Sequence, residues 1–151
     1  MPNIAAVAGK ALVGVSFAPE AEPGFRAECL SLAGAFGTSL EIPERLMAAM
    51  TGLSGSGLAY VFAFADAMAL GGVAAGFDYP TALKIAVEAL ESAAAMLKAG
   101  PVPAHPRELA SRVASPAGTT IQGLRALERG GFAAAVMEAV EAGARRAQEL
   151  E

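Results

Sequence analysis

Leu53-Ser-Gly-Ser-Gly-Leu-Ala-Tyr-Val-Phe-Ala-Phe-Ala-Asp-Ala-Met-Ala-Leu-Gly-Gly-Val-Ala-Ala-Gly76 decides the fold of this chain. From Leu58 onward the stretch is apolar on every side and nearly long enough to cross a bilayer. Asp66 in its middle, the Gly71-Gly72 pair and the absence of a basic flank argue against that, because a mid-membrane carboxylate costs about 2.5–3.5 kcal/mol. A helix apolar all round is instead expected to lie between protein neighbours. The small residues ahead of it, Ser54 and Ser56 among Gly52, Gly55 and Gly57, read as a loop that opens this helix. The Gly52–Gly57 spacing matches the two glycines of a phosphate-binding P-loop, but Leu58 and Ala59 stand where Lys-Ser/Thr is required. Gly55-Ser-Gly57 also fails as a dinucleotide fingerprint, since Tyr60 takes the third glycine position. Taken alone, the segment is a helix–helix turn capped by Ser54 or Ser56.

Downstream the signal stays helical. Gly76 stops the apolar helix, and Asp78 caps a second one over Pro80–Ala99 that ends at Gly100-Pro101. Pro101-Val-Pro-Ala-His-Pro106 reads as a stiff connector with His105 solvated in it. Pro106 opens a helix to about Ala114, Thr119 or Thr120 starts another to Arg129, and Phe132–Leu150 is the last. Its apolar stripe is Phe132, Val136, Met137 and Val140, with Arg145 and Arg146 near the C-terminus. Gly130-Gly131 is a plain turn. Tyr60, Phe62 and Phe64 are expected in the core, and Asp66 is assigned a structural place, paired or facing a wet interface.

Upstream, Ala11–Phe17 and Thr38–Ile42 are short strand candidates. Between them Phe25, Cys29, Leu32 and Phe36 recur at helical spacing, with Gly37 placed as the C-terminal cap. Pro43 suits a first helical position, leading Glu44–Met50 as a short helix toward the glycine segment. Two strands and one helix cannot close a core. Residues 1–43 therefore read as the end of a larger α/β domain, and residues 44–151 as all-helical. The fold class is mainly α.

Composition narrows the function. The chain has 151 residues, 54% of them hydrophobic and 17% charged, with mean hydropathy +0.46. That is greasy for a lone soluble domain, so a partner chain is expected to cover apolar surface. A net charge of −4 gives no basic face for nucleic acid. Cys29 and His105 are the single cysteine and histidine. No intrachain disulfide is possible, a Cys/His metal site is not expected, and a reducing, cytoplasmic setting is the simple reading.

The second informative cluster is Ser115-Pro-Ala-Gly-Thr-Thr-Ile121. A serine, a glycine and two adjacent threonines precede a helix, where free amides and hydroxyls can converge on an anion such as a carboxylate. The spacing supports equally a plain helix cap by Thr119 or Thr120.

These segments closely resemble the C-terminal half of pyrroline-5-carboxylate reductase. The family's "LSGSGPAY" is similar to Leu53–Tyr60, its "SPGGTTI" to Ser115–Ile121, its "LEEGGF" to Leu127–Phe132 and its "MPNTP" to the opening Met1-Pro-Asn3. The resemblance implies a helical dimerisation bundle preceded by the end of a Rossmann domain whose glycine fingerprint is not in this chain. It implies hydride transfer from NADPH or NADH to the C=N carbon of 1-pyrroline-5-carboxylate, giving proline. It also implies an interlaced homodimer, often assembled further. Carried over, Thr120 would hydrogen-bond the ring nitrogen as the catalytic residue. Ser115, Gly118 and Thr119 would bind the substrate carboxylate, and Asn3 would lie near the nicotinamide end of the cofactor. No metal is implied. The chain departs from the family at Leu58 for proline, Ala117 for the first glycine of "SPGGTT", Ile4-Ala5 for Thr-Pro, and Ala110-Ser111 where Lys-Asp is frequent. The methyl of Ala117 is expected to forbid a positive φ that glycine would allow.

Two functions follow. One is the dimerising, substrate-binding half of such a reductase, inactive without a dinucleotide domain. The other is a non-catalytic oligomerisation or regulatory module that keeps the fold alone.

Overall fold

A computed structural model describes residues 1–99 and 105–150. The chain is mainly helical, with one short two-stranded parallel sheet near its start. Strand β1 (Ala11–Val15) pairs with β2 (Gly37–Glu41) in parallel, Ala11 opposite Gly37 and Val15 opposite Glu41, and helix α1 (Pro23–Gly34) connects them. Pro23 at the start of α1 has the fixed φ a first turn needs. Gly37 does not cap this helix as expected. The helix ends at Gly34 with Ala35 as its cap, and Gly37 opens β2 at φ +149, where a side chain would run into the Ala11 backbone. Close strand pairing, rather than helix termination, demands the glycine.

Helical structure then runs from Glu44 to Ala74. It starts as a 3-10 turn (Glu44–Leu46), continues as α2 (Met47–Met50), widens into a π-turn (Thr51–Gly55) and resumes as α3 (Gly57–Ala74). The expected loop at Leu53–Gly57 is therefore a bulge inside a helix. Ser56 N–H donates to the Thr51 carbonyl at 2.8 Å, the five-residue reach of a π-turn. The amides that a loop would have freed are partly spent within the helix. At 31 residues and hydropathy 1.6, this run is long and apolar enough to cross a membrane by length and composition.

Gly76, at φ +110, ends the run as expected, its N–H and that of Phe77 returning to Val73 and Gly72 carbonyls. Helix α4 (Tyr79–Lys98) starts at the Asp78 cap, whose carboxylate accepts from Thr81 N–H at 3.0 Å. The expected stop at Gly100-Pro101 and most of the proline connector lie outside the described residues. Helices α5 (Pro106–Val113), α6 (Thr119–Arg129) and α7 (Phe132–Leu150) follow, with Gly131 at φ +70 in the turn between the last two. His105 has a defined place: its Nδ1 accepts from Arg107 N–H and caps α5.

By internal packing the chain forms two units, Met1–Tyr60 with Val136–Glu151, and Val61–Ala135. In the first, Gly52 and Gly143 let the π-turn and α7 meet backbone to backbone. A Cβ on Gly52 would lie 2.6 Å from Ala144 N, and one on Gly143 would lie 3.1 Å from Gly52 Cα. Tyr60 fastens the contact, its hydroxyl donating to the Ala139 carbonyl at 2.9 Å. In the second, Gly72 meets Ala82 across α3 and α4, and Phe64 packs on Phe132 at 5.6 Å between centroids.

Alanines dominate what is buried. Among the described residues, the buried helical side chains are Ala48, Met50, Ala65, Ala69, Ala82 and Ala86, and no large side chain is fully enclosed. Phe62, expected in the core, is 64% exposed, and Leu53, Leu70 and Met137 are exposed to a similar degree.

Candidate functional site

The polar features around Ser115–Thr120 begin with a turn. Gly118 N–H donates to the Ser115 carbonyl at 3.0 Å across Pro116 and Ala117. Proline second and a left-handed residue third is the pattern of a type II turn, which normally takes glycine third. Here Ala117 takes that place at φ +56, the only non-glycine residue with positive φ among those described. The expectation that its methyl would forbid this conformation is overturned. The turn imposes the geometry on an exposed alanine, at a cost of about 1–2 kcal/mol for an L-residue.

Gly118 follows as the N-cap of α6, and no side chain caps that helix. A Cβ at Gly118 would collide with the Ser115 Oγ, so the serine hydroxyl lies against the Gly118 backbone. Thr119 and Thr120 are the first two helical residues, and neither hydroxyl serves as the cap that their spacing allowed. The amides of Thr119, Thr120 and Ile121 are those that a helix leaves without an internal acceptor. Thr120 is half-buried, while Ser115 and Thr119 are exposed. Four predicted residues, Ser115, Gly118, Thr119 and Thr120, thus share one turn and helix start. This is the positive end of an eleven-residue helix.

Asn3 belongs to the other unit. Its Oδ1 accepts from Ala5 N–H at 3.2 Å and caps a short 3-10 turn, Ile4–Ala8. Its Nδ2 donates to the Ser54 carbonyl at 3.2 Å and reaches the Ser54 Oγ at 3.3 Å. Thr51 of the same π-turn has its hydroxyl within hydrogen-bond reach of two acceptors, the Met1 sulfur and the Met47 carbonyl, for its one proton. Local sequence context assigns Ser54 only a capping role, and this pairing across 51 positions is not legible in it. The clustered glycines at 52, 55 and 57 were the available signal.

Two further groups are electrostatically set. Asp66 has the partner that its sequence context left open: the Tyr79 hydroxyl donates to its Oδ1 at 2.7 Å, on exposed surface. That hydrogen bond, then burial and the carboxylate charge, raise the Tyr79 pKa. The Asp78 carboxyl is lowered, chiefly by the Thr81 backbone hydrogen bond. No group of three or more His, Cys, Asp or Glu able to hold a metal occurs among the described residues.

The family profile described as "Pyrroline-5-carboxylate reductase dimerisation" matches residues 44–150. The chain belongs to this family. Curated pyrroline-5-carboxylate reductases from Methanosarcina acetivorans and Arabidopsis thaliana are 45% and 44% identical to it over 151 residues, 99% of this chain. The chain spans about half the length of these relatives, 55% and 54% respectively. Among solved structures, a pyrroline-5-carboxylate reductase from Coxiella burnetii superposes with a TM-score of 0.94 at 26% identity. It covers all of this chain and 56% of that one. The Streptococcus pyogenes enzyme gives 0.91 at 30% identity, covering 99% and 57%. A Plasmodium falciparum pyrroline carboxylate reductase solved with NADP bound gives 0.89 at 26%, covering 99% and 60%. Membership in a dimerisation family implies oligomerisation.

Proposed function

We propose that this chain is the dimerising, substrate-binding half of a pyrroline-5-carboxylate reductase. The observation that carries the proposal is the uncapped start of α6, where Gly118, Thr119 and Thr120 follow a turn held by Ser115. A five-membered imino acid presents a carboxylate beside a ring nitrogen. Ser115, Gly118 and Thr119 offer the carboxylate a hydroxyl, amides and the positive end of a helix dipole. Thr120, one residue further and half-buried, holds the ring nitrogen by hydrogen bond and keeps its proton in place. Protonation at nitrogen makes the neighbouring carbon electrophilic, and fixed orientation supplies much of the remaining acceleration.

The hydride donor of that reaction, NADPH or NADH, is not matched by the residues present. A dinucleotide pyrophosphate rests on a glycine-rich strand-to-helix turn. The turn after β1, Ser16–Glu22, has no glycine and carries Glu20 and Glu22, and its Ala18, Pro19 and Ala21 carbonyls are taken by Arg26. Residues 1–43 fit the end of such a domain, and residues 44–151 fit the dimerisation and substrate-binding domain. Calorimetric titration of this chain with NADPH is expected to show no saturable binding near micromolar concentration. Tight binding would reveal a phosphate site elsewhere in it. The setting is a reducing cytoplasm, with Cys29 as a free thiol.

NMR titration with proline tests the substrate reading. Losing one hydrogen bond to a charged group costs about 1.5–3 kcal/mol. Thr120→Ala is thus expected to weaken proline binding roughly tenfold or more, while Thr38→Ala on β2 leaves it unchanged. If Thr120→Ala keeps the proline-induced shifts but lowers the melting temperature, Thr120 is only structural. The chain is then a non-catalytic oligomerisation module.

A further inference from the structure

We infer that Asn3 is a positioning residue, a latch that seats residues 1–9 on the π-turn of the long helix. Every polar atom of its side chain is already committed. Oδ1 caps Ile4–Ala8 through Ala5 N–H, and Nδ2 reaches both the carbonyl and hydroxyl of Ser54. The amide therefore acts on the π-turn through Ser54. The π-turn makes the latch possible. A regular α-helix directs each carbonyl to the N–H four residues on, whereas a π-turn rearranges that ladder locally, as the Ser56-to-Thr51 bond shows. A side-chain donor from outside the helix can then be received at Ser54. Around it the turn is fixed on its other sides. Thr51 reaches Met47 and Met1, and Gly52 abuts the α7 backbone so closely that no side chain fits. Residues 1–9 also adjoin the sheet, because Gly14 N–H donates to the Met1 carbonyl. The latch consequently joins the start of the α/β segment to the helix that enters the dimerisation region. In functional terms, resting on the reading proposed above, it sets where a dinucleotide fold is delivered along that helix.

Amide hydrogen exchange on this chain separates the two halves of the latch. Asn3→Asp keeps the oxygen that caps Ala5 but loses the donor to the Ser54 carbonyl. It is expected to leave Ala5 protection near the parent's and to speed exchange at Ser56 roughly three- to tenfold, the equivalent of one hydrogen bond. Asn3→Ala is expected to speed both, while Ser54→Ala, which keeps the carbonyl acceptor and loses only the Oγ contact, is expected to speed Ser56 less than Asn3→Asp does. Exchange in β1 and in α4 should not change in any variant, which distinguishes a latch from general loosening. Parent-like Ser56 protection in Asn3→Asp, or uniform acceleration throughout, would overturn the inference. The proline titration is independent of these readouts: its failure removes the substrate reading and leaves the latch to be judged on exchange.

Discussion

Ala117 shows at the residue scale how much one methyl can reveal. The turn Ser115–Gly118 needs a left-handed third residue, and the chain supplies alanine where the family's motif has glycine. Replacing it with glycine relieves about 1–2 kcal/mol of backbone strain. It also gives the unfolded chain freedom worth about 0.4–1 kcal/mol, which opposes the gain. Ala117→Gly is therefore expected to raise the urea midpoint, by about 0–1.6 kcal/mol of stability, and Ala117→Val to lower it. A lower midpoint for the glycine variant would mean that the turn relaxes in solution. Composition and spacing identified the hydroxyl cluster at Ser115–Thr120, because Ser, Thr and Gly before an apolar run announce a helix start. They did not distinguish a cap from an open terminus. That difference depends on whether Gly118 or a threonine takes the cap position, and the turn geometry decides it.

Helices were the most legible elements. Asp78, Pro106, Thr119 and Gly131 mark real boundaries because caps and breakers act locally. Asp78 also yields a pH prediction. Its carboxyl is lowered by the Thr81 amide, so the contribution of this cap is complete above the ordinary aspartate range and is lost as pH falls through the folded value. Tyr79 runs the opposite way: its pKa is raised, so its bond to Asp66 persists below the ordinary tyrosine range and is lost as pH rises through the raised value. The Thr81 amide resonance should shift at acid pH in the parent and lose most of that movement in Asp78→Asn. An unchanged titration in Asp78→Asn would remove the cap as its cause. Illegible at this scale was the π-turn. Its glycines look like loop residues, and only the contact with Gly143 and Ala144 across the sequence explains why small residues are needed inside a helix.

For the whole molecule, the decisive quantity is what remains uncovered. Helices whose buried side chains are almost all alanine, and whose Phe62, Leu70 and Met137 face outward, contribute little burial when alone. Mean hydropathy already pointed to a partner, because 54% hydrophobic residues exceed what a small domain hides. Which faces stay open could not be read from the sequence, since a helix apolar all round has no distinguished side. The family match over residues 44–150 implies oligomerisation, and these faces are the apolar surface available for it. A second copy of this chain is expected against them, across an obligate interface of roughly 2,000 Å² or more. Sedimentation equilibrium at low micromolar concentration measures this directly. A dimer, or a larger assembly built from dimers, with no detectable monomer is the predicted result; a well-folded monomer across the concentration range would contradict it.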